Sequence, residues 1–304
     1  MNEILIPRVD RRHRGEHSTV CKCPSPGYIR PGHFKPLSRE HGRALRNLIY
    51  RDKSTGEWVI RRQVSADPLF VFLRNAAGRQ RAFRSERRRL LDALFILFIN
   101  KVDLATSIVT VNISKLAAEL SPRDVDGDVI DEQAVTTSRI SRLIIELERF
   151  GIIECPRNEW DYTNGCRFPK HVIITETGWQ LTGINMDKLR AEQAERLQAI
   201  HNGQLQPGEV ISLKAARRRW YERCRHQTIL SRRTRAMEGK IRTRLADLPF
   251  DERKRQIAER LWRSLQSQPQ AHKLTSGQFE KMVWAQLYQL QLVELSPPGK
   301  SPPH

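Results

Sequence analysis

Helical periodicity, an Asn-Gly dipeptide between two β-branched runs and a one-sided excess of arginine predict a mainly α chain with a small β-hairpin. With 304 residues the chain is long enough for one or two folded domains plus tails. It carries 53 Lys and Arg against 34 Asp and Glu, a formal net charge of +19. A chain that basic attracts polyanions, and nucleic acid is the first candidate.

Residues 1–84 show scattered Pro and Gly, weak periodicity, many charges and one short apolar stretch at 67–73, and read as a loosely structured arm or small module. Arg79, Arg81, Arg84, Arg87, Arg88 and Arg89 form a basic run leading into residues 90–102, which are too apolar for a surface helix and predict the buried first helix of a core. Residues 107–112 (SIVTVN) suit a strand, with Asn112 placed to cap a helix from Ile113. Ile113, Leu116, Ala117 and Leu120 give that helix one apolar face before Ser121-Pro122 ends it. A polar loop leads to a longer helix over 136–150, stopped by Gly151. Strand-like runs at 152–160 and 166–175 follow, joined through Asn164-Gly165, a strong hairpin signal.

The order helix, strand, helix, helix, hairpin over 85–181 is that of a winged helix-turn-helix. Residues 182–295 read as a basic helical region, and 296–304 (SPPGKSPPH) as a disordered tail. The N-terminus has no secretory h-region, and no stretch approaches the roughly twenty apolar residues of a membrane span, so a cytoplasmic protein with no membrane partner is expected. Five cysteines at irregular spacing make no disulfide framework.

On the helix over 136–150, Ile140, Leu143, Ile144 and Leu147 cluster on one side. Ser138, Arg142 and Arg149 lie opposite, with Thr137 and Arg139 in the N-terminal turn. A helix-turn-helix puts such a helix in the major groove, where Arg grips guanine and Ser or Thr suit bases or phosphates. An amphipathic helix merely facing water is the commoner source of this pattern, but the adjoining hairpin carries Arg157, Arg167, Lys170 and His171, suited to phosphates or the minor groove. A second basic tract spans 214–244. Its Arg217, Arg218, Arg219, Arg232, Arg233 and Arg235 suit phosphate neutralisation, with Trp220 expected to pack rather than to stack on a base. Two such regions on one chain allow several copies to load on repeated sites, so self-association is compatible with the reading.

Other chemistries find little support. His13, His17, Cys21 and Cys23 match no standard zinc-finger spacing. Asp124, Asp126 and Asp128 resemble a calcium loop, but Val129 holds the glycine position and Val135 the final glutamate position. Gly299-Lys300-Ser301 looks like the end of a P-loop, but Glu294 stands where its first glycine belongs. There is no His-x-His pair or convincing carboxylate cluster, so no cofactor, metal or enzymatic activity is expected.

RRRLLDAL from Arg87, TTSRISRLIIELERFGII over 136–153 and NGCRFPKHVIIT over 164–175 resemble the RepA-type plasmid replication initiators of IncFII, IncI and IncL/M-like plasmids. The resemblance covers about residues 80–250. It implies binding of double-stranded plasmid-origin DNA, local duplex opening, recruitment of a host initiator, helicase or primase, and copy-number control by initiator level. The first domain alone equally fits a winged-helix transcriptional regulator, a reading that the large basic C-terminal region suits less well. An RNA-binding reading lacks stacking aromatics on strands.

Overall fold

The computed structural model describes Cys23, Pro26, Leu37 and residues 39–124, 126–156, 159–163, 165–201, 212–266 and 274–293. The chain divides into two compact units, Met1–Tyr221 and Glu222–His304. Both are mainly helical, and the strands of the first form small antiparallel sheets.

The first unit is organised around one helix, labelled α3 (Ser85–Lys101). All ten residues from Leu90 to Ile99 are buried, as their composition predicts. The helix begins five residues before the apolar stretch, so the basic run supplies its first turns. Asp92 is the one charged residue in the buried stretch. Its carboxylate accepts from the Ser65 amide and the Ser65 hydroxyl, both at 2.8 Å, which ties α3 to a 3-10 turn at Val64–Ala66. Burial pushes the Asp92 carboxyl pKa up, opposed by those two donated bonds.

From residue 39 the N-terminal stretch is regularly folded. It forms α1 (Arg39–Leu48), the hairpin of β1 (Ile49–Arg51) and β2 (Trp58–Ile60), and α2 (Pro68–Ala76), started by Asp67 accepting from the Leu69 amide. Ala44, Leu45, Leu48, Ile49, Val64 and Phe70 join the core of α3. The loose reading of this stretch fails here because its apolar residues are few, yet His41, Ala44, Leu45 and Leu48 keep a helical period and all four are buried. The N-terminal amides of α1 are capped from a distant element, α7 (Met186–His201), whose buried Glu192 accepts from the amides of Glu40 at 3.0 Å and His41 at 3.4 Å.

After α3 come β3 (Val102–Asp103), β4 (Ile108–Val109), α4 (Ile113–Glu119), α5 (Thr137–Arg149), β5 (Ile153–Glu154), β6 (Trp160–Asp161), β7 (Cys166–Arg167), β8 (Ile173–Ile174) and α6 (Glu176–Gln180). Asn112 caps α4 by accepting from the Lys115 amide, as expected. The aspartate loop closes on itself: Asp124 accepts from the Asp128 amide, and Arg123 donates to the Gly127 carbonyl. One antiparallel sheet has the order β3-β4-β8-β5, and β6 and β7 pair separately as a hairpin emerging between β5 and β8. The strands are shorter than the β-branched runs that contain them.

The second unit has its own small core of Leu245, Ile257, Val283, Leu287, Leu290 and Leu292. It is built from the later part of α8 (Leu213–Ala246), α9 (Phe250–Gln266) and α10 (Ser276–Gln289). Buried Arg253 donates to the carbonyls of Leu245, Ala246 and Leu292 at 2.9–3.1 Å, satisfying groups that two helix ends leave open. Among the described residues no helix is long and apolar enough to cross a membrane.

His41 is buried, bonded to the Ile99 carbonyl at 2.8 Å and edge-on to Trp179. Burial holds its pKa below the ordinary imidazole value of 6.5, and burial does the same to His171. Protons are therefore taken up on unfolding once the pH drops under about 6.5. The contribution of these side chains to stability is complete above that pH and is lost as the pH falls toward their folded-state values. The melting temperature of the protein should accordingly drop between pH 7 and pH 5, with a shallower decline in His41→Gln. A decline in His41→Gln as steep as in the unmodified protein would count against this assignment.

Candidate nucleic-acid interface

Helix α5 is fixed at both ends. Thr136 accepts from the Arg139 amide. At the other end Gly151 takes φ +70°, its amide bonded to the Glu148 carbonyl and the Ile152 amide to the Leu147 carbonyl, a Schellman closure that glycine accommodates without strain. Ile140, Leu143, Ile144 and Leu147 are fully buried, and α4 packs against the helix. The opposite face is open: Ser138, Arg142 and Arg149 are exposed, as is Thr137 in the first turn. Arg139 is half-buried and donates to the Cys23 carbonyl at 2.9 Å. Ile145 lies on the open face, 59% exposed. The helical wheel puts it beside Arg142, but an apolar residue there is easily passed over as core.

A second arginine group, read from sequence only as a lead-in to α3, joins this face. The Arg87 guanidinium donates to the Arg142 carbonyl at 3.2 Å and sits 3.7 Å from the Glu146 carboxylate, which Arg79 also meets at 3.2 Å. Both guanidiniums lie over the Phe83 ring, at 4.4 and 4.6 Å. Burial works against the Arg87 charge; Glu146 supports it, and Arg79 and Arg142 oppose it. Arg81, Arg84 and Arg88 are exposed nearby in sequence. One carboxylate thus gathers basic side chains beside the open face of α5.

The hairpin residues separate. Arg167 is exposed and pairs in register with Trp160. Lys170 is half-buried, 3.9 Å from the Glu148 carboxylate of α5. His171 turns inward, its ring 4.8 Å from that of Trp220 and edge-on to it. Arg157 and Asn164 lie outside the described residues, as do His13, His17, Cys21 and the C-terminal tail. One expectation needs correction: β6 does carry an aromatic open to solvent, since Trp160 is 44% exposed, and Tyr162 beside it is 90% exposed.

The basic tract lies on α8, and the division between units falls inside it. In the first unit Arg217 donates to the Thr106 carbonyl at 2.9 Å, Arg218 is exposed, Arg219 is half-buried, and Trp220 packs between His171 and Tyr221. In the second unit Arg232 is half-buried, while Arg233 and Arg235 are exposed. Within each unit the exposed arginines are of a charge that suits phosphate neutralisation. Nucleophilic chemistry at Cys155 and Cys224 is disfavoured, since burial pushes the Cys155 thiol up to about 11 and raises that of Cys224 as well. Among the described residues no three or more His, Cys, Asp or Glu side chains gather as a metal site.

The sequence model described as the IncFII RepA protein family matches residues 16–294. Two Escherichia coli proteins named replication initiation protein are similar over 95% of this chain: one is 38% identical over 296 residues and 86% of its own length, the other 39% over 298 residues and 87%. No solved structure matches.

Because Thr136 supplies the side-chain cap of α5, Thr136→Ala should destabilise the protein by about 1 kcal/mol in urea denaturation. No change in the midpoint would mean that the cap contributes nothing to holding the open face.

Proposed function

The chain belongs to the IncFII RepA protein family, and we propose that it initiates plasmid replication by binding the plasmid origin sequence-specifically as a winged helix-turn-helix protein. On this reading it acts in the cytoplasm and recruits a host initiator, helicase or primase. The order β4-β8-β5, with α4 and α5 between β4 and β5 and a hairpin between β5 and β8, supports the winged-helix assignment. The observation that carries the functional reading is the open face of α5. Thr137, Ser138, Ile145 and Arg142 stand on a helix whose other face is fully buried, so they form a rigid platform.

Each side chain has a role. Arg142 donates to base edges, guanine O6 and N7 being its best partners. Ser138 and Thr137 serve bases or phosphates, and Ile145 offers an apolar contact to a thymine methyl. Arg139, tied to the Cys23 carbonyl, contributes charge from the helix start, and Arg149 from its far end. Arg167 and Lys170 serve phosphates flanking the major groove. The exposed arginines of α8 add a sequence-independent hold, with Arg218 contributing from the first unit and Arg233 and Arg235 from the second; half-buried Arg217, Arg219 and Arg232 lie among them. Action is by binding and distortion of DNA rather than by cleavage, the work of bending or unstacking being offset by a large basic interface and by negative supercoiling.

Two measurements test this reading. Arg142→Ala should weaken binding to the origin duplex by roughly 1–3 kcal/mol and to scrambled duplex hardly at all. Equal losses on both DNAs would remove α5 from base recognition. Replacing Arg233 and Arg235 together with Ala should weaken binding to both DNAs alike and lower the log–log salt slope by about 0.9 for each phosphate that is no longer neutralised. An unchanged slope would mean that this part of α8 faces solvent in the complex.

A further inference from the structure

The β6–β7 hairpin is anchored on one face and open on the other. The register pairs Asp161 with Cys166 and Trp160 with Arg167. Directly paired residues of an antiparallel hairpin share a face, and successive residues alternate. Asp161 is accordingly buried and Cys166 half-buried, whereas Trp160 and Arg167 are exposed. The ladder continues with the Phe168 amide donating to the Glu159 carbonyl at 3.1 Å. At the tip the Asp161 carboxylate accepts from the Thr163 amide at 3.1 Å, and Gly165 takes φ +60°. The buried face thereby fixes the turn that holds Tyr162 out in solvent.

Two aromatic rings, one residue apart, thus stand at the end of a short hairpin with an arginine paired to one of them. Their exposed neighbours among the described residues 159–167 are Glu159, Thr163, Gly165 and Arg167, with no exposed aliphatic side chain. An apolar protein-docking patch would offer aliphatic area around its aromatics. Exposed rings beside a cation, on a chain of net charge +19, instead match the requirements of unpaired bases: π-faces to stack on and positive charge for the backbone. In double-stranded DNA the base faces are covered by their neighbours, so these rings find their partner only where the strands are separated.

We propose that Tyr162 and Trp160 form a stacking platform for unpaired bases of single-stranded DNA, through which this hairpin holds one strand of an opened origin. The proposal rests on the origin-binding reading for its biological setting, but the contact is testable by itself. It assigns the hairpin a task different from that of α5: α5 reads the closed duplex, and the hairpin tip engages DNA after opening.

The test uses the full-length protein, a labelled oligothymidine, an oligouridine of equal length and labelled origin and scrambled duplexes, with binding followed by fluorescence anisotropy. Tyr162→Ala and Trp160→Ala should each weaken oligothymidine binding on the order of ten-fold. Origin-duplex binding should stay within about two-fold of the unmodified protein, while Tyr162→Phe and Trp160→Phe, which keep a ring, should retain oligothymidine binding. Unchanged oligothymidine binding in both alanine variants would overturn the proposal. So would equal losses on oligothymidine and duplex, which would make the hairpin a general phosphate contact. Tighter binding of oligouridine, with the same alanine losses, would reassign the platform to RNA. Should either alanine variant fail to fold, irradiation of the unmodified protein with iodouracil-substituted oligothymidine decides the matter. Crosslinks at Trp160 or Tyr162 support the platform, and crosslinks confined to α8 overturn it. If the unmodified protein fails to distinguish origin from scrambled duplex, the origin reading falls, and the oligothymidine result still decides the role of the rings.

Discussion

Helix α3 is buried along its whole length from Leu90 to Ile99, and such a helix is stable only where every side is covered. That requirement draws the rest of the first unit inward. The α1 helix, the turn at Val64–Ala66 and β4 pack against it, and its core also contains residues of α5, the β5 and β8 strands and the segment around Trp179. The single buried charge on it, Asp92, is matched by two hydrogen bonds from one serine, so the polar interruption also fixes the position of a neighbouring turn. With α3 enclosed, α5 has one packed face and one left over. The open face that supports the DNA-binding reading exists because the other is committed to the core.

The same arrangement resolves an electrostatic difficulty. Arg79, Arg87 and Arg142 are brought close together, and like charges at such range repel. Glu146 on α5 lies within 4 Å of two of them, and the guanidinium groups of Arg79 and Arg87 both lie over the ring of Phe83. A basic surface is assembled around an internal counterion and an aromatic spacer, with part of the positive charge left for a polyanion.

Much of this is legible in the sequence where local rules decide the outcome. The α5 helix is the clearest case: its period and its Gly151 terminus are both local signals, and each is found in place. The buried character of α3 follows from composition alone. The hairpin is foretold by its turn, although its paired strands are only two residues long and the alternation along them is correspondingly weak. What sequence leaves hidden depends on distant partners. The helical period of α1 is visible only once His41 is counted with Ala44, Leu45 and Leu48, and a histidine becomes a core residue only when a carbonyl such as that of Ile99 is there to meet it. The attachment of Arg87 to Arg142 and the sharing of Glu146 join residues far apart in the chain. The exposure of Trp160 and Tyr162 depends on which face of a short hairpin is anchored, which Asp161 decides.

Glu192 closes the first turn of α1 from the far end of the unit. During synthesis, α1 leaves the ribosome long before that carboxylate exists, and Trp179 and Leu189 of the shared core are late as well. A nascent chain halted anywhere before α7 holds a first helix with uncapped amides and a core with missing walls. Completion of the first unit is therefore tied to near-complete translation of it, and a prematurely terminated product ending before α7 would lack the finished scaffold on which α5 is displayed.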